Sequence, residues 1–201
     1  MTAPNAVRNY HAPRRVAQAA ATKEAIAAAA GRLFARHGYA GTTIAAVAEE
    51  AGVTPKSVYA LADKPGLLLL VVQRAGAAPG PEDAAAALLR RYPVERAFEE
   101  AANAEPVLRD AWRRHERARR AGLKELVRAV ADAGRLRPGL TVGRATDTLW
   151  ALVTWHAVAL LVEQRGWGRA KLATWLTQLI DTTLTGGPAA PVAAGAAGPA
   201  D

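Results

Sequence analysis

Apolar residues recur at helical spacing along most of this chain, and no stretch alternates for long enough to predict a β-sheet. The first such pattern begins at Thr22 and ends at Gly38, a residue type that commonly terminates helices. Its inward positions are spaced i, i+4, i+7 and i+8: Ile26, Ala30, Leu33 and Phe34. The segment therefore predicts an amphipathic helix that packs one face against a core.

Two short helices separated by a glycine turn are predicted next. Thr42 and Thr43 offer an N-cap for the first of them, which ends at Gly52. Thr54 can cap the second, with Pro55 at the first helical position, where the missing N–H costs nothing. Local signals alone therefore predict a helix, a tight turn and a second helix.

The rest of the chain is also predicted to be helical. The expected limits are about Pro55–Ala62, a helix that restarts at Pro65, and then Glu82–Arg91, Val94–Asn103, Pro106–Ala133, Val142–Gln164 and Arg169–Leu184. The clearest linker is Gly76–Pro81, and from Gly186 the chain is Gly, Pro and Ala with little to pack. We therefore predict an all-α fold with a flexible basic arm at 1–20, domains at 21–76 and 82–185, and a disordered tail at 186–201.

The segment Thr42–Tyr59 has the organisation of a helix-turn-helix. In that geometry the first helix lies across a DNA backbone, and the second enters the major groove with its N-terminal residues at base edges. The formal charge of the chain is +8, from 26 basic and 18 acidic residues. Residues 1–76 carry nine basic and four acidic residues, a net +5, which favours a nucleic-acid partner for the first third of the chain.

The composition excludes several classes of protein. The chain has no cysteine, which excludes disulfides and thiol nucleophiles and fits a reducing compartment, so we expect a cytoplasmic location. The uncharged stretch Thr148–Val162 is shorter than the roughly 18 residues that span a bilayer, and we interpret it as a buried helix. Within it, His156 is interpreted as a core residue in preference to a ligand contact.

No cluster of residues suggests an enzyme. The sequence lacks a Gly-rich phosphate loop, a G-x-S-x-G elbow and an H-E-x-x-H motif. The carboxylate pairs at 49–50 and 99–100 are adjacent in sequence and so point apart on a helix. A metal site would need His115, His156 and Asp147 to converge, which the spacing does not require, and we expect neither metal nor cofactor.

The sequence GRLFARHGYAGTTIAAVAEEAGVTPKSVY resembles the N-terminal domain of TetR-family transcriptional regulators. The resemblance covers about residues 22–72 and rests on these positions: Phe34, Gly38, Tyr39, Thr42, Thr43, Ile44, Ala48, Ala51, Gly52, Val53, Val58, Tyr59, Lys64 and Leu67. LWALVTW and LLVEQRGWGRAKLATWL also look like the closing helices of actinobacterial members. The chain departs from the family after Tyr59, where Ala60, Leu61 and Ala62 replace the usual aromatic pair and the gap to Lys64 is one residue shorter.

The resemblance implies a set of DNA-binding residues: Thr42, Thr43, Thr54, Pro55, Lys56, Ser57, Tyr59, Lys64, Arg14 and Arg15. Lys56 would contact guanine or only a phosphate, and Tyr59 would place its hydroxyl on a phosphate or pack in the core. Lys64 begins a helix whose N-terminus suits a phosphate. Arg14 and Arg15 would reach the minor groove or remain a solvated arm.

The resemblance further implies a homodimer and a ligand pocket in the C-terminal helices. The expected pocket residues, which ordinary core packing would equally explain, are Phe98, Trp112, Trp150, Trp155 and His156. The expected dimer interface includes Leu149, Trp150, Leu172, Trp175 and Leu179. We therefore expect a regulator, more often a repressor, that binds a palindromic operator and is released by a small hydrophobic or amphipathic effector. The alternative is a basic helical module that binds nucleic acid or protein without an effector.

Overall fold

A computed structural model describes residues 11–77 and 84–186, and every regular element in those ranges is helical. The helices are α1 His11–His37, α2 Ile44–Ala51, α3 Pro55–Leu61, α4 Lys64–Ala77, α5 Ala84–Ala104, α6 Pro106–Asp132, α7 Val142–Leu152, α8 Trp155–Ala159 and α9 Arg169–Thr185, and a π-helical turn, Leu160–Gln164, follows α8. The all-α prediction is confirmed.

The described residues divide into two compact units. One, the N-terminal unit, lies within Met1–Pro81 and Leu89–Arg113, and the other, the C-terminal unit, within Glu82–Leu88 and Arg114–Asp201. Residues 89–113, which we expected in the second domain, thus pack with the N-terminal unit. Most of the predicted linker at 76–81 and the predicted tail beyond Gly186 lie outside the described residues.

The core of the N-terminal unit is built from α1 to α5 and the beginning of α6. Its largest fully buried side chains are Ile26, Phe34, Val47, Val58, Leu67, Leu68, Phe98 and Leu108. The four inward positions predicted for α1 are all buried. The helical period of the sequence therefore identified the correct face of α1.

Helix α1 begins at His11, well before the predicted start at Thr22. The predicted flexible arm is therefore wrong from residue 11 onward, while residues 1–10 lie outside the described part of the chain. Pro13 lies in the first helical turn, where proline is tolerated, and the alanines that follow have the highest helix propensity. A helix does not need an apolar period when its backbone preference is this strong.

Helix α5 is continuous through Pro93, where two helices were predicted. A proline inside a helix removes one backbone hydrogen bond. On one face of α5, however, Val94, Ala97, Phe98 and Ala101 are buried in the core of the N-terminal unit. Packing of the residues that follow Pro93 holds this part of α5 against the core.

The apolar stretch Val142–Gln164 is not the single helix that we predicted. Helix α7 ends at Leu152, Val153 has φ −90° and ψ 71°, and Thr154 is extended. The Thr154 side chain accepts a hydrogen bond from the Ala157 backbone N–H at 3.3 Å and so caps α8. This threonine is a local start signal for α8 that the surrounding apolar residues concealed.

A smaller core lies in the C-terminal unit. Val127, Ala145, Leu149 and Leu184 are buried there, and partly buried apolar residues of α6, α7 and α9 pack around them. No single helix in the described ranges is long and apolar enough to cross a bilayer. Helix α7 and the segment Trp155–Gln164 reach that length and apolar character only when they are taken together, and they are bent by 42° at the break between them.

Candidate nucleic-acid interface

Helices α2 and α3 are joined by a turn at Gly52 that only glycine adopts easily. Gly52 has φ 67° and ψ 33°, in the left-handed region. Its N–H donates to the Glu49 carbonyl at 3.1 Å, and the N–H of Val53 donates to the Ala48 carbonyl at 2.9 Å. The turn therefore satisfies the last carbonyls of α2 and redirects the chain into α3.

Both short helices are anchored on one side and open on the other. Val47 and Ala48 of α2 and Val58 of α3 are fully buried in the N-terminal core. Pro55, Lys56 and Tyr59 of α3 are exposed, and their i, i+1 and i+4 spacing places them on one face. The structure thus presents the opening turn of α3 to solvent, as the helix-turn-helix prediction requires.

Two threonines cap these helices. The Thr43 hydroxyl accepts a hydrogen bond from the Ala46 N–H at 3.1 Å. The Thr54 hydroxyl accepts one from the Ser57 N–H at 3.2 Å and lies 3.0 Å from the Ser57 hydroxyl. Both threonines are exposed, and a hydroxyl that accepts one hydrogen bond can still donate another. The capping prediction is confirmed, whereas the phosphate contacts remain predictions.

Thr42, a predicted DNA contact, is buried, with 2% of its surface exposed. Its hydroxyl donates a hydrogen bond to the Gly38 carbonyl at 2.8 Å. The side chain closes the turn before α2 and has no access to a ligand, so this assignment is wrong. Thr43 alone is the N-cap of α2.

Tyr59 is 62% exposed, which rules out the core alternative for this residue. Lys64, in contrast, is half-buried, with its Nζ 4.3 Å from the centroid of the Tyr39 ring. At the N-terminus of α4 the Asp63 carboxylate accepts from the Gly66 N–H at 2.9 Å, so that amide is not available to a phosphate. The phosphate contact of Lys64 remains a prediction.

An ion-pair brace between α1 and α2, which sequence reasoning missed, lies close to these elements. Glu50 accepts from the Arg32 Nε at 2.5 Å and from an Arg36 guanidinium N–H at 2.9 Å. The hydrogen bond from Arg32 is the main cause that lowers the pKa of Glu50.

Arg14 and Arg15 lie in the first turns of α1, and their side chains are outside the described residues, so their minor-groove role stays a prediction.

The five candidate pocket residues are divided between the two units. In the N-terminal unit Phe98 and Trp112 meet edge to face with centroids 5.3 Å apart. In the C-terminal unit Trp155 stacks on His156 at 3.6 Å, and Trp150 donates its indole N–H to Glu116 at 2.9 Å. His156 is exposed, so its interpretation as a core residue is wrong.

The candidate dimer residues differ in how much of their surface is exposed. Leu149 and Leu172 have none of their surface exposed within one chain, so they have no surface to offer a second copy and are removed from the candidate interface. Trp150, Trp175 and Leu179 are half-buried and remain predictions.

In the described residues no group of three or more His, Cys, Asp or Glu side chains is placed to hold a metal ion.

Comparison with known proteins gives one family. Residues 26–61 match the N-terminal domain of bacterial regulatory proteins of the TetR family. The chain is similar in fold to a structure described as a TetR-family transcriptional regulator from Rhodococcus sp., with TM-score 0.58, 23% identity, and coverage of 82% of this chain and 99% of that one. No curated protein sequence matches the chain.

Two further solved structures agree with this fold. NalD, described as the secondary repressor of the MexAB-OprM multidrug efflux pump in Pseudomonas aeruginosa, has TM-score 0.54 and 23% identity, over 82% of this chain and 96% of NalD. A regulator described as TetR-family from Mesorhizobium loti has TM-score 0.55 and 19% identity, over 83% of this chain and 94% of its own. The likeness extends through both units of the described chain.

Proposed function

We propose that this chain is a TetR-family regulator that represses transcription by binding a near-palindromic operator as a homodimer, which the family match at residues 26–61 and the similar fold support. The observation that carries the proposal is the exposed opening turn of α3, with Pro55, Lys56 and Tyr59 on one solvent face and Val58 buried behind it. A rigid, capped helix whose polar end faces solvent is what a major groove can receive.

Lys56 reads bases in this proposal, and Tyr59, Thr43 and Thr54 position the helix through phosphates. Lys56 is exposed at the second position of α3, where a side chain projects ahead of the helix. A guanine contact from such a residue is worth about 1–3 kcal/mol of discrimination, whereas a phosphate contact carries no sequence information.

Dimerisation is supported by apolar surface that a single chain leaves open. Leu152 and Leu160 are 43% and 53% exposed in the C-terminal unit, and Trp175 is half-buried. A two-fold axis would set two copies of α3 about one turn of DNA apart, roughly 34–36 Å, so the operator would be a near-palindrome. A monomer in analytical ultracentrifugation at micromolar concentration would overturn this part of the proposal.

A small hydrophobic or amphipathic effector releases the repressor in this proposal. Aromatic side chains of the C-terminal unit, Trp150 and Trp155, are the groups that would recognise it. The effector can weaken DNA binding only by as much as its affinity differs between two dimer shapes. The repressor described as controlling an efflux pump is a structural neighbour that supports this sign of regulation. We assign no catalytic activity and propose that the protein works in the cytoplasm.

The test begins with selection of duplexes from a random DNA library by the full chain, followed by gel shift against scrambled duplexes. We expect an inverted-repeat operator, and Lys56→Ala to lower operator affinity by about tenfold with a smaller effect on scrambled DNA. The control Lys124→Ala removes the same charge from α6 of the C-terminal unit. Equal affinity of the wild-type chain for selected and scrambled DNA would favour the basic-module alternative and overturn the proposal.

A further inference from the structure

The turn between α1 and α2 is held by a carboxylate from α5. One oxygen of Glu100 accepts a hydrogen bond from the Tyr39 N–H at 3.0 Å, and the other accepts one from the Ala40 N–H, also at 3.0 Å. Two consecutive amides are thus bound by one side chain about 60 residues away in sequence. Hydrogen bonds to an ionised acceptor are stronger than those between neutral groups.

Gly38 makes this close approach possible. The residue has φ 68°, and a Cβ built on it would lie 2.6 Å from an oxygen of Glu100. Both the backbone conformation and the space exclude any other residue without rearrangement. The turn and the carboxylate therefore fit each other as a pair.

The side chain of Tyr39 anchors the same turn in the core of the N-terminal unit. Its ring is buried, stacks on Phe34 with centroids 6.0 Å apart and lies under the ammonium of Lys64. Burial, followed by the negative charges of Glu105 and Asp63, raises the pKa of Tyr39 to about 12. The phenol therefore remains protonated at physiological pH.

The turn leads directly into the candidate DNA-binding helices. Thr42 closes it with a hydrogen bond to the Gly38 carbonyl, Thr43 caps α2, and α2 is fixed to α3 through Gly52. A shift of residues 38–40 would consequently move α2 and α3 together. Glu100 itself lies on α5 and is not part of the face that α3 exposes.

We propose that Glu100 is a positioning residue for DNA binding, which fixes the orientation of α2 and α3 by holding the amides of Tyr39 and Ala40. The inference rests on the proposed function. The direction of the change in DNA affinity distinguishes positioning from simple electrostatics. Removing a negative charge from a DNA-binding protein strengthens binding when charge alone matters. Loss of positioning weakens it.

The experiment compares Glu100→Gln with Asp110→Asn in the full chain, on the operator selected by the wild-type protein. Asp110 is exposed, belongs to the same unit and loses the same charge, so it is the matched control. We expect Glu100→Gln to bind the operator about tenfold more weakly, because only the amide oxygen of the new side chain can accept a hydrogen bond. Its affinity for scrambled DNA should be equal to that of the wild-type chain or higher. Asp110→Asn should bind equally well or more tightly.

Amide hydrogen exchange supplies a second measurement that does not depend on DNA. In Glu100→Gln the amides of Tyr39 and Ala40 should exchange at least about tenfold faster, while the protection of buried α1 amides is retained. If this variant does not fold, Glu100→Asp, which is one methylene too short to reach both amides, should show the same two changes. Unchanged operator affinity, equal losses on operator and scrambled DNA, or unchanged exchange at both amides would overturn the inference. A wild-type chain without preference for any duplex would overturn the proposed function, and this inference with it.

Discussion

Two of the breaks between consecutive helices invite comparison, the one between α2 and α3 and the one between α7 and α8. In both places a threonine caps the second helix, Thr54 in the first case and Thr154 in the second. The first break is closed by its own residues, since Gly52 and Val53 bind the last carbonyls of α2. The second break depends on Arg119, whose guanidinium donates to the Val153 carbonyl at 2.9 Å and to the Trp150 carbonyl at 3.1 Å.

This comparison separates a turn encoded locally from one completed by a distant side chain. Arg119 lies 34 residues from Val153 in sequence, is only 16% exposed in its side chain and is itself held by Glu116 at 2.8 Å. The indole N–H of Trp150 donates to the same carboxylate. The carbonyls freed at the end of α7 are thus satisfied by a network that no window of sequence around residue 153 contains.

The largest effect is expected for Arg119→Ala, which removes that network. The change leaves the Val153 and Trp150 carbonyls without their donor and Glu116 without its cation, and we expect a loss of about 3 kcal/mol of unfolding free energy. Urea unfolding of the full chain measures it. The control Arg128→Ala removes an exposed pair with Glu125 and should cost less than about 0.5 kcal/mol. Similar small losses in both variants would mean that the second break is also locally encoded.

A smaller effect distinguishes the two glycine turns of the N-terminal unit. Gly38 and Gly52 have nearly the same φ, 68° and 67°, but only Gly38 has a side chain against it. Gly52→Ala should cost about 1 kcal/mol from backbone strain alone. Gly38→Ala should cost at least about 2 kcal/mol, because Glu100 must also move away. Equal costs in thermal or urea unfolding would show that Glu100 does not constrain the turn.

The smallest effect is a pH dependence of the brace between α1 and α2. Because Arg32 and Arg36 lower the pKa of Glu50 below its ordinary value of 4.5, its contribution to stability is complete above that value and is lost as the pH falls through the lowered pKa. The wild-type chain should therefore melt slightly above Glu50→Gln near pH 7, and the gap should narrow and then close as the pH falls below 4.5. Melting temperatures from pH 7 to pH 3 check this, and a gap that widened with acid would contradict it.

Local signals were enough to place the helix-turn-helix, and they failed where contacts were non-local. Thr43, Gly52, Thr54 and Pro55 each act on neighbours within a few residues, and each was predicted correctly as a cap, a turn or a helix start. Thr42 was assigned to DNA although it is buried, because residue type says nothing about which of two adjacent threonines faces solvent. Glu100 gave no signal at all, since an adjacent pair of glutamates on a helix is common.

The amino-acid sequence by itself determined the helical class, the buried face of α1 and the motif that opens α3 to solvent, because each depends on propensity, periodicity or capping over a few residues. Tertiary structure decided that α5 runs through Pro93, that α7 stops before Thr154 and that Leu149 and Leu172 point inward. It also decided which carboxylate holds the turn before α2. These outcomes depend on the burial and hydrogen bonding of groups that meet only once the chain has folded, and their energies outweigh the local preferences.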